Sequence, residues 1–77
     1  MQRAYVLIET VGGKSKDVVD ALRGVSGIAA ADVVTGPYDV IVVAQGADAN
    51  SIGRLVLNQI RGIQGITKTM TCLAVDT

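Results

Sequence analysis

Five adjacent residues, Thr35-Gly36-Pro37-Tyr38-Asp39, bring the most chemistry together in this chain. Glycine leaves backbone groups open to a ligand. A carboxylate beside it can accept hydrogen bonds from an ammonium group, and tyrosine offers a flat apolar wall with a polar tip. The same five residues also make a good generic hairpin turn, with Asp39 tied to backbone groups. On residue types alone, the turn and the binding site both stand as readings.

Other chemistries find little support. The chain has no histidine, so the commonest general base and metal ligand is missing. The single cysteine, Cys72, has no partner for a disulfide or a paired-cysteine metal site, and reads as a small buried hydrophobe in a strand. Val11-Gly12-Gly13-Lys14-Ser15 ends in Gly-Lys-Ser but lacks the upstream glycine of a phosphate-binding loop, so it reads as a plain strand-to-helix connection. Glu9, Asp17, Asp20, Asp32, Asp39, Asp48 and Asp76 are scattered rather than paired. These observations argue for no enzyme, no catalytic residue, no metal and no cofactor.

The elements that must position the five residues follow from hydrophobic patterning. Ala4–Thr10 reads as a first strand and Lys14–Arg23 as a first helix, with Val18, Leu22 and Val25 on one stripe and Val19 beside it. Ile28–Thr35 and Tyr38–Gln45 read as a hairpin closed at Gly36-Pro37. A second helix is expected over about Ser51–Arg61, capped by Asp48 or Asn50, with Ile52, Leu55, Val56 and Ile60 at helical spacing. Thr67–Val75 reads as the last strand.

One phrase occurs twice. Leu22–Ile28 reads LRGVSGI and Ile60–Ile66 reads IRGIQGI. Each joins a helical stretch to a strand, with a basic residue suited to the negative end of the helix. The glycine after it, Gly24 or Gly62, is expected to take the left-handed conformation that closes a helix. Two similar strand–helix–strand halves give the order βαββαβ. This is an α+β, ferredoxin-like sandwich: a four-stranded antiparallel sheet with two helices on one face. The whole chain, residues 1–77, is one domain.

Composition points to assembly. Hydrophobic residues make up 49% of the chain, without Phe or Trp, although a domain this short buries only about 60% of its unfolded surface. Val40–Ala44 is apolar at every position, whereas a strand with one wet face should alternate. The sheet face away from the helices is therefore expected to be dry and covered by the sheet of a second subunit. Net charge is zero, with no cationic run for nucleic acid. No leader or membrane-length apolar run is seen, and a single cysteine fits a reducing compartment, so the expected location is cytoplasmic.

With these features in place, the chain resembles the effector domain of the Lrp/AsnC, or feast/famine, family, also called the RAM domain. The marks are the first-strand pattern AYVLIET, the phrase LRGVSGI, the hairpin TGPYDVIV and the tail IRGIQGITKTMT. The resemblance implies a ferredoxin-like domain that dimerises through its sheets, with dimers assembling into octamers or decamers. It also implies a small effector, typically an amino acid, held between dimers. Carried onto this sequence, Thr35, Gly36, Tyr38 and Asp39 of one subunit contact the effector, and Thr69, Met70 and Thr71 of a neighbour close over it. Thr67 and Thr71 also fit ordinary β-formers on an exposed strand.

Family members also carry a DNA-binding helix-turn-helix domain, and this sequence holds no recognition helix. The resemblance therefore implies a stand-alone effector domain with a full-length relative, or an enzyme, as its partner. An ACT-like amino-acid module shares the element order and would use Val11–Lys14 instead. A small dimeric α/β-barrel enzyme and a ligand-free oligomerisation module are the remaining alternatives.

Overall fold

In the computed structural model, which describes residues 1–76, the chain forms β1 (Gln2–Thr10), α1 (Ser15–Arg23), β2 (Ile28–Val33), β3 (Val40–Gly46), α2 (Ala49–Leu55) and β4 (Ile66–Leu73). α2 runs on without a break into a π-helical turn over Val56–Ile60. The four strands make one antiparallel sheet in the order β2-β3-β1-β4, the arrangement expected of two interleaved βαβ units.

Alternation along the strands decides which side chains meet the helices. Ala4, Val6 and Ile8 of β1, Ala31 of β2, and Val40, Val42 and Ala44 of β3 are buried. They form one core with Val18, Val19 and Leu22 of α1 and with Ile52, Val56 and Ile60 of the second helical stretch. Both helices therefore cover the same face. Val42 belongs to that core, while its neighbours Ile41 and Val43 point to the open face.

The repeat is visible in the backbone. In the first half, Val25 N–H donates to Leu22 O at 3.0 Å and Ile28 N–H to Val25 O at 3.2 Å. In the second, Ile63 N–H donates to Ile60 O at 3.0 Å and Ile66 N–H to Ile63 O at 3.3 Å. The second glycine of each phrase carries the left-handed conformation: Gly27 has φ 96° and Gly65 φ 101°. Gly24, the expected position, has φ −92° and merely continues the last helical turn. The left-handed residue is needed one step before the strand, where the chain turns back under the sheet. There Gly27 O accepts from Gln45 N–H and Gly65 O from Val11 N–H, both at 2.8 Å.

Three other expectations are corrected. β2 ends at Val33 and β3 starts at Val40, so the hairpin connection is wider than a tight turn. Cys72 is exposed, because β4 is an edge strand and Cys72 pairs with Tyr5 on the open face. The second helical stretch starts at Ala49 rather than Ser51, because Asp48 is the cap: its carboxylate accepts from Ser51 N–H at 2.8 Å. No helix is long and apolar enough to cross a membrane among the described residues.

Candidate functional site

The β2–β3 connection is held open rather than folded flat. Val34 N–H donates to Asp39 O at 2.9 Å, closing a loop around Thr35, Gly36, Pro37 and Tyr38. Thr35, Gly36 and Pro37 are exposed and Tyr38 is half-buried. Gly36 has φ 153°, and a Cβ placed on it would meet nothing within 4 Å. Its requirement is conformational, and the space beside its backbone is empty.

Asp39 anchors this loop to the central strand. Its N–H donates to Ile8 O at 2.9 Å, and its Oδ2 accepts from Thr10 N–H at 2.8 Å. The register of β1 against β4 slips between Glu9 and Thr10. Among the described residues, the other carboxylate oxygen of Asp39 has no hydrogen-bond partner. Thr10 in turn shares a 2.8 Å hydroxyl–hydroxyl hydrogen bond with Ser15 in the first turn of α1. The backbone role open to Asp39 from its residue type is thus filled, with one oxygen left without a partner among the described residues.

β4 splits its three candidate residues between two faces. Met70 pairs with Leu7 on the open face, where Tyr38 Oη approaches its sulfur at 3.5 Å. Tyr38 and Met70 therefore meet within one chain, across β1. Thr69 and Thr71 pair with Ile8 and Val6 and so share the helix side of the sheet. There they line a groove of ≈ 770 Å³ between β4 and the second helical stretch, together with Val56, Leu57, Arg61 and Leu73. Residue types alone gave no hint of this groove. Its origin is topological: α1 packs chiefly against β2 and α2 against β3 and β1, which leaves the helix side of the other edge strand, β4, bare.

The open face is apolar at its centre and charged at its rim. Tyr5, Leu7, Ile41, Val43 and Met70 lie on it, with Tyr5 and Met70 38% and 41% exposed. Arg3 stacks over the Tyr5 ring at 5.8 Å, and Lys68 lies 3.9 Å from Glu9.

Residues 3–77 match the sequence model of the Lrp/AsnC ligand binding domain. The chain belongs to this family. Over 77 residues it is 25% identical to an HTH-type transcriptional regulator of Pyrococcus abyssi, covering 96% of this chain and 51% of that protein. The Lrp/AsnC chain thus spans about half the length of the curated relatives it matches. Among solved structures, a protein of Thermus thermophilus is 28% identical and superposes with a TM-score of 0.93, over 100% of this chain and 96% of that one. A Neisseria meningitidis transcriptional regulator solved as a complex with L-Met shares the fold at 14% identity. Its TM-score is 0.85, over 97% of this chain and 50% of that one.

Proposed function

We propose that this Lrp/AsnC domain is a regulatory sensor, not an enzyme, that takes a small amino-acid-like effector between subunits of a ring oligomer and passes its state to a transcription regulator or another partner. The observation that carries the reading is the β2–β3 loop: its Thr35–Pro37 stretch is open to solvent, and among the described residues Asp39 behind it keeps one carboxylate oxygen unpaired. That oxygen suits an ammonium group, Gly36 admits close backbone approach, and Tyr38 supplies a wall. Thr69 and Thr71 of a neighbouring subunit close the site from the helix side of its β4, whereas Met70, on the opposite face against Tyr38 of its own chain, stands outside this reading. The L-methionine bound by the Neisseria regulator supports this class of effector.

Assembly in this reading begins at the open sheet face. In this reading the apolar centre formed by Tyr5, Leu7, Ile41 and Val43 meets the same patch of a second copy across a two-fold axis. Ile41→Lys is expected to leave the fold intact and halve the assembly on light scattering. A wild-type chain that stays monomeric at micromolar concentration contradicts this part of the reading.

Calorimetry against the common amino acids tests the effector. Asp39→Asn keeps an acceptor for Thr10 N–H and removes the charge, so the loop anchor survives while the ammonium partner is lost. A charged hydrogen bond contributes about 1.5–3 kcal/mol, so affinity should fall roughly tenfold to a hundredfold. Unchanged affinity in an intact Asp39→Asn oligomer refutes the assignment. Loss of binding on substitution of Gly12 or Lys14 instead points to the ACT-like loop.

A further inference from the structure

The sheet has two edges, β2 and β4, and the chain treats them differently. Successive residues of a strand turn their N–H and C=O groups alternately to one side and the other. An edge strand therefore leaves every second residue without a ladder partner. Just past β2, Val34 N–H donates to Asp39 O, so Asp32 also turns toward β3 while Ala31 and Val33 turn outward. That edge is closed. Nε and Nη2 of Arg23 both donate to Ala31 O, at 3.2 and 3.0 Å, and the register slips between Ile28 and Ala30. A side chain seated on the edge and a bulge both bar an incoming strand.

The β4 edge is open. Ala74 N–H donates to Arg3 O at 2.8 Å, and the register against β1 runs without a slip from Lys68 to Leu73. Met70 and Cys72 therefore turn toward β1, and Thr69, Thr71 and Leu73 turn their backbone groups away from it. Among the described residues nothing pairs with these outward groups. Arg61 and Thr69 stand where the first half has Arg23 and Ala31. Yet among the described residues the Arg61 guanidinium has neither a hydrogen-bond acceptor nor an ion-pair partner, and Thr69 O stays free. No proline interrupts Ile66–Leu73. The residues just after it lack cover as well: Val75 is 80% exposed, and Asp76 has no ion-pair partner among the described residues.

We propose that the β4 edge pairs antiparallel with the β4 edge of a second copy, about a two-fold axis at Thr71. Few registers are open, because outward residues must face outward residues. With Thr71 opposite Thr71 of the second copy, Thr69 faces Leu73, and the outward groups of both strands find partners. On the open face Met70 then stands opposite Cys72 of the second copy. Lys68 stands opposite Ala74 of the second copy, with Asp76 one diagonal step further, within reach of a long side chain. The same register brings Val75 against Thr67 of the second copy. An axis nearer the start of β4 moves Asp76 away from Lys68, so the charge pattern selects the axis at Thr71. The sheet runs on through both copies, with all the helices on one side. This contact is separate from the sheet-to-sheet contact proposed above and does not depend on an effector.

Ile41→Lys removes the sheet-to-sheet contact and so isolates the edge. In that chain light scattering should give twice the monomer mass, and adding Thr71→Pro should halve it. Proline lacks the N–H that faces out of β4 and leaves the ladder to β1 intact. Val33→Pro, the same change at an outward residue of β2, should leave the mass unchanged, with circular dichroism checking each fold. Amide exchange in the Ile41→Lys chain tests the edge without a proline: Thr69, Thr71 and Leu73 should exchange about tenfold more slowly in the dimer than on dilution, and Ala31 and Val33 should not change. Met70→Cys in the same chain should oxidise to a dimer linked from position 70 of one copy to Cys72 of the other, because a non-hydrogen-bonded pair brings those Cβ atoms close. A link between positions 70 of the two copies, or no link, overturns the axis at Thr71. A dimer lost in Val33→Pro but kept in Thr71→Pro overturns the choice of edge. A monomeric Ile41→Lys chain, with exchange at Thr69, Thr71 and Leu73 indifferent to dilution, overturns the proposal, leaves the sheet-to-sheet reading standing and leaves the β4 edge to a strand of another protein.

Discussion

The two halves of this chain share a backbone device and differ in what they do with it. Both close a helix with an Arg-Gly pair, turn through a left-handed glycine and enter a strand on an isoleucine. Beyond that isoleucine the halves diverge. β2 leads into the looped connection that holds Tyr38 and Asp39, whereas β4 is the sheet edge whose helix side is bare. The second helical stretch is also longer than the first and contains a π turn, marked by Arg61 N–H donating to Val56 O at 2.9 Å. An extra residue absorbed in this way keeps Ile52, Val56 and Ile60 on one buried face and delivers Arg61 at the groove. The repeated residues are those the fold requires, and the candidate site is built from residues that break the repeat.

The largest effects should come from the core positions that the halves share. Leu22 and Ile60 are equivalent in the phrase and both fully buried. Truncation of either to alanine should cost about 2–5 kcal/mol by chemical denaturation. Ile60→Ala should be the milder, because Ile60 sits in the π turn, where an irregular backbone can settle into part of the cavity. Equal or reversed costs would mean that the π turn is as rigid as the α1 end.

The glycines come next. Alanine at Gly27 or Gly65 must adopt positive φ, a strain of about 1–2 kcal/mol. The surroundings then separate them. A Cβ on Gly27 meets Gln45 O at 3.3 Å and Leu55 Cδ2 at 3.1 Å, whereas one on Gly65 meets only side-chain atoms, Lys14 Cβ at 3.2 Å and Val18 Cγ2 at 3.3 Å. The carbonyl of Gln45 is fixed at the sheet end, so Gly27→Ala should be the more destabilising of the two. Gly24→Ala, at negative φ in open space, should be near neutral or mildly stabilising. A large loss there would contradict the left-handed assignment to the second glycine.

The arginines should show smaller stability effects. Arg23→Gln removes two hydrogen bonds to Ala31 O and should cost no more than about 1 kcal/mol, since the side chain is more than half exposed. Arg61→Gln should leave stability within about 0.5 kcal/mol of wild type. A clear loss at Arg61 would show that it has an internal partner after all.

These contrasts also explain how much of the molecule was legible in its residues. The strands, both helices, the sheet architecture and the apolar centre of the open face follow from alternation, helical spacing and the repeat, because each depends on short-range periodicity. The left-handed position did not, since two glycines in each phrase were compatible with it and only the path into the strand distinguishes them. The exposure of Cys72 was hidden because edge position is a property of strand order. The dual nature of Asp39 was visible as two competing roles, and the Thr10 amide resolves only the backbone one. The unpartnered Arg61 could have been found by aligning the halves residue by residue, since Asp32 against Met70 is a loss of charge written in the sequence, whereas the groove comes from strand order and could not.

The smallest expected effect lies where the two helices start. α1 begins after Lys14 with no side-chain cap, whereas α2 begins after Asp48, whose carboxylate accepts from Ser51 N–H. Hydrogen bonds from Ser51 hold the Asp48 carboxyl below the ordinary carboxylate range. A folded-state pKa lower than the unfolded one means that the cap is fully present above the unfolded value and is lost as the pH falls through the folded value. The Ser51 amide, followed by NMR, should therefore lose its downfield shift and its exchange protection at acid pH. Asp48→Asn should abolish that dependence while keeping the cap, because an amide oxygen still accepts but does not titrate. Persistence of the transition in Asp48→Asn would assign it to another carboxylate and remove this difference between the halves.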